Sequence, residues 1–130
     1  MFDKAGYWLE LCDDDLRAAQ AMLKSKNLLW TGFICHLVAE KALKAVIANI
    51  TNEVPPKIHN LPRLAALAGI YEELSDTQFA LLKRLTSLQI EARYPEHKEM
   101  MSKTLTLKVC ESIMKETEDF LCWIKKKLEK

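Results

Sequence analysis

Three polar side chains recur at four-residue spacing inside the most apolar stretch of the sequence. His36, Glu40 and Lys44 lie between Leu28 and Asn49, with Lys41 beside them. On a helix, positions i, i+4 and i+8 share one face, so an imidazole, a carboxylate and an ammonium group would form a single stripe. Glu40 and Lys44 are also spaced as an i,i+4 ion pair worth about 0.2–0.5 kcal/mol. The spacing therefore fits either a binding stripe or a solvated surface strip.

Two further polar pairs stand where helices are expected to begin or end. His59 and Asn60 follow a proline-containing stretch, and asparagine is a favoured helix N-cap. Arg93 and Tyr94 precede Pro95, which a helix does not pass without a break. Loop packing and the helix dipole can account for these residues. In an up-and-down bundle we expect the second and fourth helices to run in the same sense. If their ends converge, the same groups would suit a phosphate or RNA backbone.

Apolar residues recur every three or four positions along almost the whole chain, which predicts amphipathic helices. The second segment is apolar nearly all round and is therefore expected at the centre. The predicted segments are Asp3 to Lys24, Leu28 to Asn49, a short helix capped by Asn60, one from a Ser75–Gln78 capping box to Arg93–Tyr94, and one starting near Thr104. We therefore expect residues 1–130 to form one all-α domain, an up-and-down helical bundle of four long helices plus one short helix.

The overall composition narrows the possible functions. Nineteen basic and 18 acidic side chains give a net charge of +1, which excludes the strongly cationic balance of a duplex-DNA binder but leaves room for a small basic site. The sequence contains no GxGxxG, P-loop, HExxH or GxSxG motif. We expect no cofactor and no metal site.

The sequence also bears on location and on the cysteines. No run of about 18 apolar residues could span a membrane, and the start of the chain lacks the pattern of a signal peptide. The four cysteines form no CxxC pair and fall within apolar helical patterns, so free buried thiols are expected. These features together predict a cytoplasmic protein.

Three phrases, in order along the chain, resemble a known family. HLVAEKALKAVI, HNLPRL and EARYP are similar to the HEPN domain of prokaryotes ("higher eukaryotes and prokaryotes nucleotide-binding"). The opening YWLELCDDDLRAAQAML and the closing helix extend the resemblance over nearly the whole chain. It implies an up-and-down bundle that associates with nucleotides or RNA. Many such domains are encoded beside a minimal nucleotidyltransferase, as half of a toxin–antitoxin pair.

The family is commonly homodimeric, and the sequence independently predicts a homodimer. Trp8, Trp30 and Tyr94, together with the apolar excess of the second segment, offer more hydrophobic surface than four neighbouring helices need.

The resemblance also implies candidate catalytic residues. Several HEPN branches are metal-independent ribonucleases that use an Arg and a His separated by four to six residues at a helix end. The matching positions are Arg93 and His97, with one intervening residue fewer than in the family and with Pro95 between them. His59 is the other histidine that could act with Arg93. We expect a binding module first, and a ribonuclease toxin or a purely structural homodimer as alternatives. The expected ligand-binding residues are Glu40, Lys41, Lys44, His59, Asn60, Arg93 and Tyr94.

Overall fold

The chain folds into four long helices and one short helix. The structure is a computed structural model and describes residues 3–93 and 105–129. Its helices are α1 (Lys4–Lys24), α2 (Leu28–Thr51), α3 (Leu61–Leu67), α4 (Asp76–Arg93) and α5 (Leu107–Leu128), with one 3₁₀ turn at Tyr71–Glu73. The described ranges contain no strand. The predicted all-α bundle is confirmed.

Side-chain caps set where several of these helices begin. The Gln78 side-chain oxygen accepts from Ser75 N–H at 2.9 Å, and the Ser75 hydroxyl oxygen accepts from Gln78 N–H at 3.1 Å. This is the capping box predicted at the start of α4. Asn60 accepts from the backbone N–H of Arg63 at 3.0 Å and so starts α3. At the other end, α2 runs two residues beyond the predicted Asn49 and stops at Asn52, which has a left-handed φ of +56°.

Helix α2 is the centre of the bundle, as its apolar circumference predicted. It packs against α1, α3, α4 and α5, and every residue from Ala42 to Ala48 is buried. Much of the apolar excess of this helix is therefore used inside one chain. Its exposed aromatic side chain is Trp30, near the start of the helix.

The contacts between helices define their directions. The Cys110 thiol reaches the carbonyl of Leu28, and the Thr117 side chain meets the Cys35 thiol about two turns further on. Helices α2 and α5 are therefore parallel. In α1, Asp13 accepts from Lys125 near the end of α5, and Gln20, about two turns later in α1, donates to Glu118, about two turns earlier in α5. Helix α1 therefore runs antiparallel to α5.

The expectation that the second and fourth helices run in the same sense is wrong. A Cβ on Gly32, near the start of α2, would lie 2.8 Å from Leu88 near the end of α4, so these helices are antiparallel. The reason is the long connection between them. Residues 52–60 return along α2 until the His59 carbonyl meets the His36 ring at 2.9 Å, and α3 then leads the chain back before α4 begins.

Three of the four cysteines are buried and all four are free. Cys122 is exposed on α5, so the expectation that every thiol is buried is wrong at that position. In the part of the chain that the structure describes, no helix has the length and apolarity needed to cross a bilayer.

Candidate functional site

The stripe on α2 lies inside the bundle. His36 is 0% exposed, Glu40 5% and Lys44 7%, so the solvated-strip interpretation is wrong. Two neighbours lie against this stripe: the returning connection reaches it through the His59 carbonyl, and Trp8 of α1 lies with its ring centroid 5.9 Å from Lys44 Nζ. An imidazole, a carboxylate and an ammonium group are thus held away from bulk water.

Both oxygens of the Glu40 carboxylate are engaged. Oε1 accepts from His59 Nδ1 at 2.8 Å, and Oε2 accepts from Lys44 Nζ at 3.1 Å. The Nδ1 atom of His36 lies 3.9 Å from Oε1. A buried carboxylate is costly unless it is paired and hydrogen-bonded, and here it has a cation on one oxygen and an imidazole donor on the other. We refer to His36, Glu40, Lys44 and His59 as the Glu40 cluster.

His59 is the member of the cluster that reaches the surface. Half of its side chain is exposed (50%), against 7% for the Glu40 side chain. Its carbonyl accepts from His36 Nε2, which fixes the backbone, and its ring is fixed by Glu40. Because a carboxylate only accepts, Nδ1 of His59 carries the proton. Nε2 is therefore free to accept a proton or, once protonated, to donate to an anion.

The remaining predicted residues near the cluster have structural partners. Lys41 donates to Asp15 of α1 at 2.6 Å and so points to the α1 side of α2. Asn60 uses its side-chain oxygen to cap α3. Of the predicted ligand-binding set, the structure thus brings Glu40, Lys44 and His59 into one network.

The backbone of Arg93 lies beyond the part of α4 that contacts the segment after His59. The Thr86 hydroxyl on α4 accepts from the backbone N–H of Leu61, two residues after His59. Arg93, the last residue of α4, is seven residues further along that helix, which corresponds to roughly 10 Å. Tyr94 and His97 lie outside the described residues, so the roles of Arg93, Tyr94 and His97 stay predictions.

The sequence predicted that His36, Glu40 and Lys44 share one helix face but did not predict that Glu40 would bond His59, which reaches the surface. The contact between Glu40 and His59 joins residues 19 positions apart and depends on how residues 52–60 fold back. The role of Trp8 beside Lys44 was missed for the same reason. Among residues 3–93 and 105–129, no group of three His, Cys, Asp or Glu side chains is placed to hold a metal ion.

Comparison with known proteins agrees with the fold. The family model described as "HEPN domain" matches residues 5–128. The crystal structure of TT1696 from Thermus thermophilus superposes with a TM-score of 0.82 at 23% identity, covering 98% of this chain and 100% of that one. No curated protein matches the sequence significantly. Because the family model spans nearly the whole chain, this chain belongs to the HEPN domain family, a group of helical modules associated in general with nucleotides or RNA.

Proposed function

We propose that this HEPN-domain protein binds phosphate groups of a nucleotide or RNA through His59, which Glu40 holds in place. The observation that carries the proposal is the Glu40–His59 hydrogen bond of 2.8 Å between a buried carboxylate and a half-exposed imidazole. A carboxylate that accepts from Nδ1 fixes the orientation of the ring, and it does so in the protonated form as well. The exposed Nε2–H of that form donates a charge-assisted hydrogen bond to a phosphate oxygen.

A purely structural role explains this arrangement less well. Replacing a buried ion pair with apolar side chains of similar volume is often neutral or stabilising, so stability alone does not require Glu40 and Lys44 in the middle of α2. The pair and the His36 ring together hold one loop residue, His59, with its ring at the surface. A rigidly held polar side chain at the surface is typical of a binding site.

Binding can be measured by the fluorescence anisotropy of a labelled single-stranded RNA. We expect His59→Ala to raise Kd about tenfold or more, because a hydrogen bond to a charged group contributes about 1.5–3 kcal/mol. Arg17→Ala is the matched control, since it removes a cation from the exposed surface of α1, where Arg17 pairs only with its neighbour Asp14 in the described contacts. Absence of RNA and nucleotide binding by the parent protein, or an unchanged Kd for His59→Ala, would contradict the proposal.

The Glu40–His59 hydrogen bond also favours a second candidate function, that of a metal-independent ribonuclease. Metal-free cleavage of RNA needs a base near the 2′-hydroxyl and a positive charge at the phosphate. The Glu40–His59 pair supplies an oriented base, and Arg93, from the same chain or a second copy, would supply the charge. Incubation of labelled RNA in chelator distinguishes the candidates. Cleavage by the parent and not by Arg93→Ala would replace binding with catalysis as the function, and comparison of His59→Ala with His97→Ala would identify the base.

We further propose that the protein forms a homodimer and that it pairs with a minimal nucleotidyltransferase as in toxin–antitoxin systems. Support for a dimer comes from exposed apolar side chains at one end of the bundle. Trp30 at the start of α2, Ile90 near the end of α4 and Leu107 at the start of α5 are 45%, 47% and 40% exposed. A clean monomer in equilibrium sedimentation at micromolar concentration would refute the dimer. Failure to co-purify with the product of a neighbouring nucleotidyltransferase reading frame would refute the pairing.

A further inference from the structure

A surface groove begins one residue after His59, between α3 and α4. It has a volume of about 320 Å³ and is lined by Asn60, Pro62, Phe79, Lys83 and Thr86. Ligand pockets in proteins start at about 300 Å³, so the groove suits a group the size of one nucleotide. Its geometry is fixed, because the Thr86 hydroxyl both donates to the Leu82 carbonyl at 2.9 Å and accepts from Leu61 N–H at 3.2 Å.

Two stretches beside this groove, residues 54–70 and residues 77–90, carry basic side chains and no acidic ones. Residues 54–70, which include α3, contain Lys57 and Arg63, and residues 77–90 of α4 contain Lys83 and Arg84. All four of these side chains belong to exposed residues. Neither segment contains an Asp or a Glu. Of the four basic side chains, Lys83 lines the groove, and its positive charge attracts a phosphate, whereas Arg84 lies close to Cys110 of α5.

The groove also offers an aromatic surface beside a cation. Phe79 is half-buried and meets Tyr71 edge-on with ring centroids 5.6 Å apart, which holds the ring in place. Lys83, one turn further along α4, places its Nζ 5.6 Å from the Phe79 ring centroid. The ammonium covering this ring belongs to a flexible, exposed side chain. A base that stacks on this face of the ring would displace the Lys83 ammonium.

A polar group in the groove can contact the base edge. The Oδ1 atom of Asn60 accepts from Arg63 N–H, which fixes the plane of the amide. Its Nδ2 hydrogens remain available as donors. Asn60 follows His59 directly, so the groove begins about 3.8 Å, one Cα–Cα step, from the residue that carries the imidazole.

We infer that the α3–α4 groove binds single-stranded nucleic acid, with one base stacked on Phe79 and the adjoining phosphate on Lys83. This inference rests on the proposed function and adds a second contact, to a base. Stacking on an aromatic ring is tolerant of sequence, because every base has a π-face. The groove therefore gives affinity for unpaired strands without strong sequence preference and disfavours a duplex, whose bases are already stacked on each other.

The experiment measures Kd by anisotropy for a labelled single-stranded RNA, for the DNA strand and duplex of the same sequence, and for RNA with abasic sites. We expect Phe79→Leu to weaken binding of the single strand about fivefold or more, because about fivefold is the lower end of what stacking on an aromatic side chain contributes per base. Leucine keeps the apolar volume beside Tyr71. Trp123→Leu on α5 is the matched aromatic control, and thermal unfolding shows that both variants are folded.

The salt dependence of Kd provides an independent test, because Lys83 is exposed and its replacement leaves the core unchanged. Lys83→Ala, at an exposed position, should reduce the slope of log K against log salt by about 0.7 for a single strand. Phe79→Leu should leave that slope unchanged, and so should Lys115→Ala, which removes an exposed lysine of α5 paired with Asp119.

The outcomes separate the groove from the His59 site. Loss of binding in His59→Ala with unchanged binding in folded Phe79→Leu and Lys83→Ala overturns the groove and leaves the proposed function intact. Equal affinity for abasic and normal RNA also overturns it. If the parent protein binds no nucleic acid, the groove and the proposed function both fail, whereas retained affinity for a mononucleotide alone overturns only the groove.

Discussion

Two ion pairs in this bundle have the same chemistry but different surroundings. Glu40 and Lys44, in the Glu40 cluster, have side chains that are 7% and 9% exposed. Asp13 of α1 and Lys125 of α5 have side chains that are 41% and 38% exposed, and their charged atoms are 2.7 Å apart. The exposed pair has the shorter contact, yet burial makes the two pairs very different in energy.

The difference shows what each pair can do for the molecule. Charges in contact with water are already stabilised and are screened by salt, so an exposed pair contributes about 0–1 kcal/mol. Buried charges depend on each other, because neither has water to replace a lost partner. The Glu40 cluster can therefore fix the position of His59 firmly, whereas the Asp13–Lys125 pair only supports helices that already pack through apolar side chains.

Breaking the buried pair should have the largest effect. We expect Glu40→Gln to lower the free energy of unfolding by about 3 kcal/mol, because Lys44 would keep a buried charge without a counter-ion. Urea denaturation measures this change. The double variant Glu40→Gln/Lys44→Met removes both charges and should recover most of the loss. A loss below about 1 kcal/mol in the single variant would mean that the Glu40 cluster behaves like a surface pair.

The cysteines allow buried and exposed groups to be compared at alkaline pH as well. Burial, with Asp13 and Asp15 as further causes, raises the pKa of Cys12 from 9.0 to about 12, and burial likewise raises the pKa of Cys35 to about 12. The folded chain then keeps protons that the unfolded chain releases, so this stability is complete below pH 9 and falls as pH rises toward 12. Between about pH 9 and about pH 10 we expect a loss of about 2 kcal/mol from the two thiols together.

Urea unfolding at a series of pH values measures that slope. The Cys12→Ala/Cys35→Ala variant is less stable throughout because it leaves cavities, but its stability should change less between about pH 9 and about pH 10. Cys122→Ala, which removes the exposed thiol, should keep the parental slope. Equal slopes in all three proteins would show that the buried thiols do not control the alkaline limit.

Breaking the exposed pair should have the smallest effect. We expect Asp13→Asn to change the free energy of unfolding by less than about 1 kcal/mol, with the change disappearing in about 1 M salt, where the Debye length is about 3 Å. The effect of Glu40→Gln should persist at that salt concentration. Urea denaturation of both variants at low and high salt makes the comparison, and a salt-resistant loss in Asp13→Asn would contradict it.

The elements of the fold were largely predictable because their signals are local. Apolar spacing located the long helices, and the Ser75–Gln78 capping box and the Asn60 cap marked two helix starts. The continuous apolar run of α2 showed that it is central, since a helix buried on all sides needs apolar residues all round. The direction of α4 relative to α2 was predicted wrongly, because it depends on the path of residues 52–60 and no local pattern encodes that path.

The candidate site divides in the same way. The sequence by itself determined that His36, Glu40 and Lys44 share one face of α2, because the helix repeat fixes which positions align. Only the tertiary structure decided that this face is buried and that Glu40 meets His59. Burial and long-range hydrogen bonds depend on which segments come together in space, and that is settled by packing of the whole chain. The local sequence therefore determines which functional groups share a helix face, and tertiary packing determines whether those groups form a site.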